Sequence, residues 1–227
     1  METELVTKHP SSEMLINYAM GNLNEAESLI IAGHLTYCKE CKRDVSEYES
    51  MAGSFLYENE KTEVSDSLFT KVLDAIETKE QSEKKVNYID SKIKSSLENQ
   101  EIRVPSFILK YLGSKCDTSQ WNTAINNVRY TDLEFGDIDF KGKFLEIPPG
   151  KSMPRHGHEG SEATLVMHGG YRDESGHYNK GDLVLANDSH VHSPIASEET
   201  GCLCLVIYSG SIKFKGIIGS ILNLSKF

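Results

Sequence analysis

Apolar residues recur at helical spacing through about the first 80 residues and at strand spacing after about residue 102. Leu68, Phe69, Val72, Leu73 and Ile76 fall at i, i+1, i+4, i+5 and i+8, which places them on one face of a helix. Ser65, Asp66 and Ser67 stand ahead of that stripe as natural N-caps. Val45, Tyr48, Met51, Ala52, Phe55 and Leu56 mark a second amphipathic helix, and Glu25 to His34 a third. A shorter first helix is expected from about Ser12 to Met20, ended by Gly21. Residues 1–80 therefore read as a four-helix domain.

Residues 81–101, which open Gln-Ser-Glu-Lys-Lys, are polar and carry no apolar face, so a linker is expected there. From residue 102 short apolar runs alternate with Gly, Pro, Asn and Asp. Strands are expected at Val128–Leu133, Lys143–Ile147, Ala163–Met167, Asp182–Ala186 and Cys202–Tyr208. Several short strands of this kind imply a β-sandwich or barrel over 102–227. The tail returns to helical spacing at Phe214, Ile217, Ile218, Ile221 and Leu222, and a closing helix packed on the barrel is expected. The fold class is thus α + β in two domains.

Charge gives the helical part a direction. The chain has 227 residues with 24 Lys+Arg against 34 Asp+Glu, net −10. Residues 1–80 hold 7 basic and 16 acidic side chains, net −9, whereas the remainder is near neutral. Such a segment repels phosphate, so direct DNA binding is not expected and a basic partner is. No run approaches the roughly 18 apolar residues of a membrane span. The start Met1-Glu2-Thr3-Glu4 lacks the basic and apolar pattern of a signal peptide, which leads to an expected cytoplasmic location without membrane contact.

Two constellations carry chemistry. His34-Leu-Thr-Tyr-Cys38-Lys-Glu-Cys41 spells H-x3-C-x2-C. His34 and Cys38, four apart, share a helix face, and a turn after Cys38 brings Cys41 to the same point. Two thiolates with imidazole are donors that zinc prefers, and tetrahedral geometry calls for a fourth, for which His9 is the candidate. The second constellation begins at Gly150 and continues through His156, His158 and Glu162 to Gly169, in the pattern G-x5-H-x-H-x3-E-x6-G. Alternate strand residues face one side, so both histidines point inward, and Glu162 offers an oxygen donor. A third imidazole would come from His190-Val-His192-Ser-Pro194, where the spacing alone does not choose between His190 and His192.

Over residues 5–80 the chain resembles the zinc-binding anti-sigma domain of bacteria, on the strength of His9, the H-x3-C-x2-C run and the acidic helical setting. That resemblance implies three helices clasping zinc. It also implies a fourth helix, matching Ser65–Glu80, that completes a surface wrapped around an extracytoplasmic-function sigma factor. The second constellation matches the first motif of the cupin superfamily, which implies a small β-barrel (double-stranded β-helix) with a metal in its mouth. Its second motif departs from the common form, because Gly181-Asp182-Leu-Val-Leu-Ala lacks P-x-G before the histidine. The run from Asp173 to Asp182 and the tripeptide His192-Ser-Pro194 are similar instead to the cupin-like half of ChrR-type anti-sigma factors. This resemblance selects His192 and implies zinc, although three imidazoles and a carboxylate also suit Mn, Fe or Ni.

The expected function is therefore an anti-sigma factor, not an enzyme. It would hold a sigma factor and release it on oxidative stress, singlet oxygen or organic hydroperoxide, sensed through the cupin-like domain. One alternative is a metal-dependent cupin dioxygenase or isomerase with a zinc adaptor. Another is a thiol redox sensor acting through Cys38 and Cys41. Cys202 and Cys204 are expected to face one side of a strand as packing residues, and Cys116 has no evident partner.

Overall fold

The computed structural model describes residues 6–78, 91–95, 97, 101–136 and 139–215. Four helices open the chain: α1 (Ser12–Ala19), α2 (Glu25–Leu35), α3 (Lys39–Glu58) and α4 (Asp66–Thr78). Local chemistry sets their starts. The Ser11 hydroxyl accepts from Met14 N–H, and Asn24 Oδ1 accepts from Glu27 N–H while the Asn24 amide donates back to the Glu27 carboxylate. Gly21, at φ +70°, turns the chain out of α1.

The expected linker has structure in its second half. Strand β1 (Ser91–Lys94) pairs antiparallel with β2 (Glu101–Val104), setting Ile93 opposite Ile102 with both side chains buried. The rest of that stretch lies outside the described residues apart from Ser95 and Leu97. A fifth helix that the strand-like rhythm concealed, α5 (Ser106–Leu112), follows Pro105 and buries Ile108 and Leu112.

Thereafter the chain forms β3 (Asn122–Thr123), β4 (Arg129–Leu133), β5 (Phe140–Ile147), β6 (His156–Glu159), β7 (Glu162–Asp173), β8 (Gly176–Asn179), β9 (Leu183–Ala186), β10 (Val191–His192), β11 (Ile195–Ala196), β12 (Cys202–Ser209) and β13 (Ser211–Phe214). The larger sheet runs β11-β7-β12-β5-β4-β3, with β8 and β9 also paired to β7, and the smaller runs β10-β6-β13. The five expected strands are present; four shift at their ends by three residues or fewer, whereas β7 runs six residues beyond the expected Met167 to Asp173. Phe214, expected on the closing helix, instead ends β13 opposite His156; the remainder of that expected helix lies outside the described residues.

Strand β12 shows how the barrel meets the helices. Leu203, Leu205 and Ile207 face a core shared with Leu29, Ile30 and Ile31 of α2. Cys202, Cys204, Val206 and Tyr208 face the barrel interior. A strand buried on both faces reads as an unbroken apolar run, as this one does. Helix α2 is buried on nearly all sides for the same reason, lying between its helical neighbours and the large sheet. Gly33 permits that approach, since a Cβ there would sit 2.6 Å from the Leu165 side chain. The helical and barrel halves thus share one hydrophobic core.

Beyond α2 the picture reverses. Residues 53–77 are all exposed, including the apolar stripe Leu68, Phe69, Val72, Leu73 and Ile76 on α4. Leu56 and Phe69 expose 75% and 65% of their surface. Among the described residues, no helix is long and apolar enough to cross a membrane.

Candidate metal centres

The helical half gathers His9, His34, Cys38 and Cys41, whose donor atoms all lie within 4.8 Å of one another. His34 comes from the last turn of α2. Cys38 is the N-cap of α3, its sulfur accepting from Cys41 N–H at 3.4 Å. His9 Nδ1 stands 3.4 Å from both Cys38 Sγ and Cys41 Sγ. Around a tetrahedral ion, with bonds of about 2.3 Å to sulfur and 2.0–2.1 Å to nitrogen, such pairs would be about 3.5 Å apart. The Nδ1–H of His34 donates to the Gly181 carbonyl at 2.8 Å, which leaves its buried Nε2 bare and without a hydrogen-bond partner. A metal ion satisfies that atom, and the donor set fits one.

In the barrel, β6 supplies His156 and His158, and β10 supplies His192 directly opposite His156 in register. Their Nε2 atoms converge, His192 lying 3.1 Å from His156 and 3.3 Å from His158. His156 Nδ1–H donates to the Pro154 carbonyl, and His192 Nδ1–H to Asp173 Oδ2, each at 2.9 Å. Both Nε2 atoms therefore present lone pairs to each other, an arrangement that calls for a cation between them. The spacing approaches the edge of about 3.4 Å expected for nitrogens on a tetrahedral ion. His190 lies outside the group, exposed and bound to Asn187 Oδ1 at 3.0 Å, so the choice left open by spacing falls to His192. Glu162 is buried beside the three histidines but does not join their mutually close donor set. Its carboxylate stands 3.4 Å from His158 Nδ1 and accepts from the Thr164 hydroxyl at 3.2 Å.

Burial keeps these imidazoles neutral and ready to ligate. His34, His156 and His158 are each pushed down to about 4, in every case first by desolvation. The Coulombic effect of His192 comes next for His156 and His158. Desolvation raises Glu162 to about 7. In metal-free protein the unfolded chain takes up three imidazole protons near pH 6.5, whereas the folded chain resists them until about 4. Their contribution is complete above pH 6.5 and is lost as pH falls toward 4. Glu162 has the opposite sign between about 4.5 and 7, one group against three. The urea midpoint of the metal-free chain is accordingly expected to fall between pH 7 and pH 5; a midpoint that rose over this window would contradict the neutral buried imidazoles.

A cavity of about 50 Å³ adjoins the barrel histidines, lined by residues that include Glu162, Tyr171 and Cys204. Small-molecule sites usually enclose about 300 Å³ or more. Cys202 and Cys204 are buried and point to this interior, their sulfurs 3.2 Å apart; the hydrogen bond with Cys204, and then burial, push the Cys202 thiol up. Cys116 Sγ–H donates to the Gly113 carbonyl.

Three supporting contacts had no reading from the sequence: Asp173 on His192, the Gly181 carbonyl on His34, and Asp182, which is fully buried and accepts from the Thr7 and Lys8 amides at 2.6 and 2.9 Å. All join residues far apart in the chain. The signal available was the density of acidic and glycine residues between Asp173 and Asp182.

Residues 114–211 match the family model of the ChrR cupin-like domain. Along 213 residues the chain is 29% identical to the anti-sigma-E factor ChrR of Cereibacter sphaeroides, covering 94% of each protein. The similarity to ChrR extends along nearly the whole length of the chain. A crystal structure of Rhodobacter sphaeroides SigE in complex with the anti-sigma ChrR agrees, with a TM-score of 0.71 and 28% identity over 90% of this chain and 100% of that one.

Proposed function

We propose that this ChrR-like chain is a cytoplasmic anti-sigma factor that holds an extracytoplasmic-function sigma factor through its helical half. The observation that carries the reading is the exposed apolar stripe of α4, set in an acidic surface. A stripe of five large apolar residues is costly to leave in water and marks a protein-binding face. Its relative in Cereibacter sphaeroides is an anti-sigma-E factor, and the similar solved structure is of a ChrR bound to SigE. The net −9 of residues 1–80 suits a partner that carries basic, DNA-reading surfaces.

Zinc is the metal proposed at both centres. Two thiolates and two imidazoles favour it at the first, where four protein donors leave no open position. At the second, three imidazoles form the set, and Glu162 supplies the carboxylate that closes it. The barrel domain, residues 102–227, would sense oxidative stress, and residues 81–101 join it to the helical domain. A regulator rather than a dioxygenase is favoured by the whole-length relative and by a cavity too small for an organic substrate.

Co-expression with a small sigma factor of this class tests the proposal: the two chains should co-elute, and transcription from the cognate promoter should fall. His156→Ala should leave that repression in place while the response to singlet oxygen or an organic hydroperoxide drops several-fold. If His156→Ala abolished repression outright, the separation of binding from sensing would be wrong.

A further inference from the structure

The first metal centre is not built by the helices alone. Both of its histidines are held from the turn between β8 and β9. Asp182 Oδ1 accepts from the amides of Thr7 and Lys8, the two residues that lead into His9. The Lys8 carbonyl accepts in return from Leu183 N–H at 3.0 Å. The segment bearing His9 is thereby pinned on both sides of one peptide. His34 is aimed by the neighbouring residue, since its Nδ1–H donates to the Gly181 carbonyl.

The turn itself is rigid. Asp182 Oδ2 accepts from Asn179 N–H at 2.8 Å, and Gly181 N–H and Asp182 C=O bond Val166 of β7. Gly181 has φ +94°, and a Cβ on it would meet Val6 at 2.7 Å and Tyr37 at 2.9 Å, so only glycine brings this carbonyl close enough. The other end of the same hairpin carries Asp173, which accepts from Ser175 and Gly176 amides and from His192 Nδ1–H. One ten-residue stretch therefore buttresses a histidine of each centre.

We propose that Asp182 is a positioning residue of the helical metal centre, so that the barrel domain completes the coordination geometry of a site whose four donors all lie in the helical half. This rests on reading His9, His34, Cys38 and Cys41 as a metal centre. An outer partner of this kind is worth about 10- to 100-fold in metal affinity. Asp182 acts on two amides rather than on a ring nitrogen, and its effect reaches His9 through the chain between them.

The test uses the full chain and zinc competition against a chromophoric chelator, with cobalt(II) substitution to read the thiolate-ligated centre by its absorption. Asp182→Ala should weaken the helical centre by about 10- to 100-fold and shift its cobalt spectrum, leaving the barrel centre at wild-type affinity. Asp182→Asn, which keeps one acceptor for the Thr7 and Lys8 amides, should lose less. Thr7→Pro removes both the amide and the hydroxyl that Thr7 donates to Asp182, keeps the Lys8 amide and changes no residue of the barrel, and should weaken the same centre. It decides the matter if Asp182→Ala does not fold. A purely structural role would lower the unfolding midpoint and leave affinity and cobalt spectrum unchanged; wild-type values in Thr7→Pro and in whichever Asp182 variants fold overturn the proposal. Should Cys38→Ser bind as many metal ions as the wild-type chain, the metal centre itself is absent, a failure distinct from that of Asp182.

Discussion

Replacing both Phe69 and Leu73 with aspartate is expected to weaken sigma-factor binding by at least about 100-fold while metal content stays at its wild-type level. Both side chains are exposed, at 65% and 44%, so their loss removes no packing from the folded chain. Buried aromatic and aliphatic anchors at the centre of an interface contribute about 2 kcal/mol or more each when truncated. A charge placed there adds an unpaired carboxylate to a dehydrated surface, which costs further. Helix α4 has only 13 residues, a length marginal for an isolated helix in water, so its order in the complex depends on what covers the stripe. Isothermal titration of the metal-loaded double variant against the sigma factor, with circular dichroism as a control, measures the effect. Unchanged affinity would remove α4 from the interface. Asp74→Asn, which removes one negative charge and leaves the stripe intact, should by contrast change little, which separates the apolar stripe from the net charge around it.

Four helices and five of the thirteen described strands were legible because each leaves a periodic trace within ten or twenty residues. His34 and Cys38 were legible as a pair from their spacing, although they do not share a helix face as expected: α2 ends at Leu35, the chain turns, and Cys38 caps α3. His156 and His158 were legible as alternate residues of one strand. Other features leave no such trace. Of the four cross-strand pairs between β1 and β2 only one is apolar on both sides, Ile93 with Ile102, inside a stretch dominated by charge. Helix α5 is too short for its period to stand out beside a proline. The contacts of Asp182 with Thr7 and of Gly181 with His34 span 175 and 147 residues, and nothing local announces a hydrogen bond over such a distance. Glu162 sits in the recognised frame yet lies against His158 rather than within the close donor set. The sharing of a core by helices and barrel was also hidden. Nothing in the run Leu29-Ile30-Ile31-Ala32 says which element it packs against.

Cys38→Ser should lose one metal equivalent and abolish sigma-factor binding, with the second metal retained. Serine isolates the effect of the thiolate. Cys38 caps α3 by accepting from Cys41 N–H, and serine is among the preferred N-cap residues, so the cap survives the change. What disappears is one of four donors that fix the start of α3 against the end of α2 and the His9 segment. Apolar burial in this region is thin: α1 buries only Leu15, and α3, 20 residues long, buries only Cys41 and Val45. Structural zinc supplies about 10–16 kcal/mol of apparent binding free energy in small metal-dependent folds, far more than these few side chains provide. Helix α2 should stay docked, since Ile30, Ile31 and Gly33 pack on the large sheet, while α1 and α3 lose their mutual orientation. Far-UV circular dichroism should report a partial loss of helix, and the barrel should still bind metal through His156, His158 and His192. Full helix content and wild-type sigma binding in Cys38→Ser would show that packing alone holds the helices, and the first metal would then have no part in building the binding face.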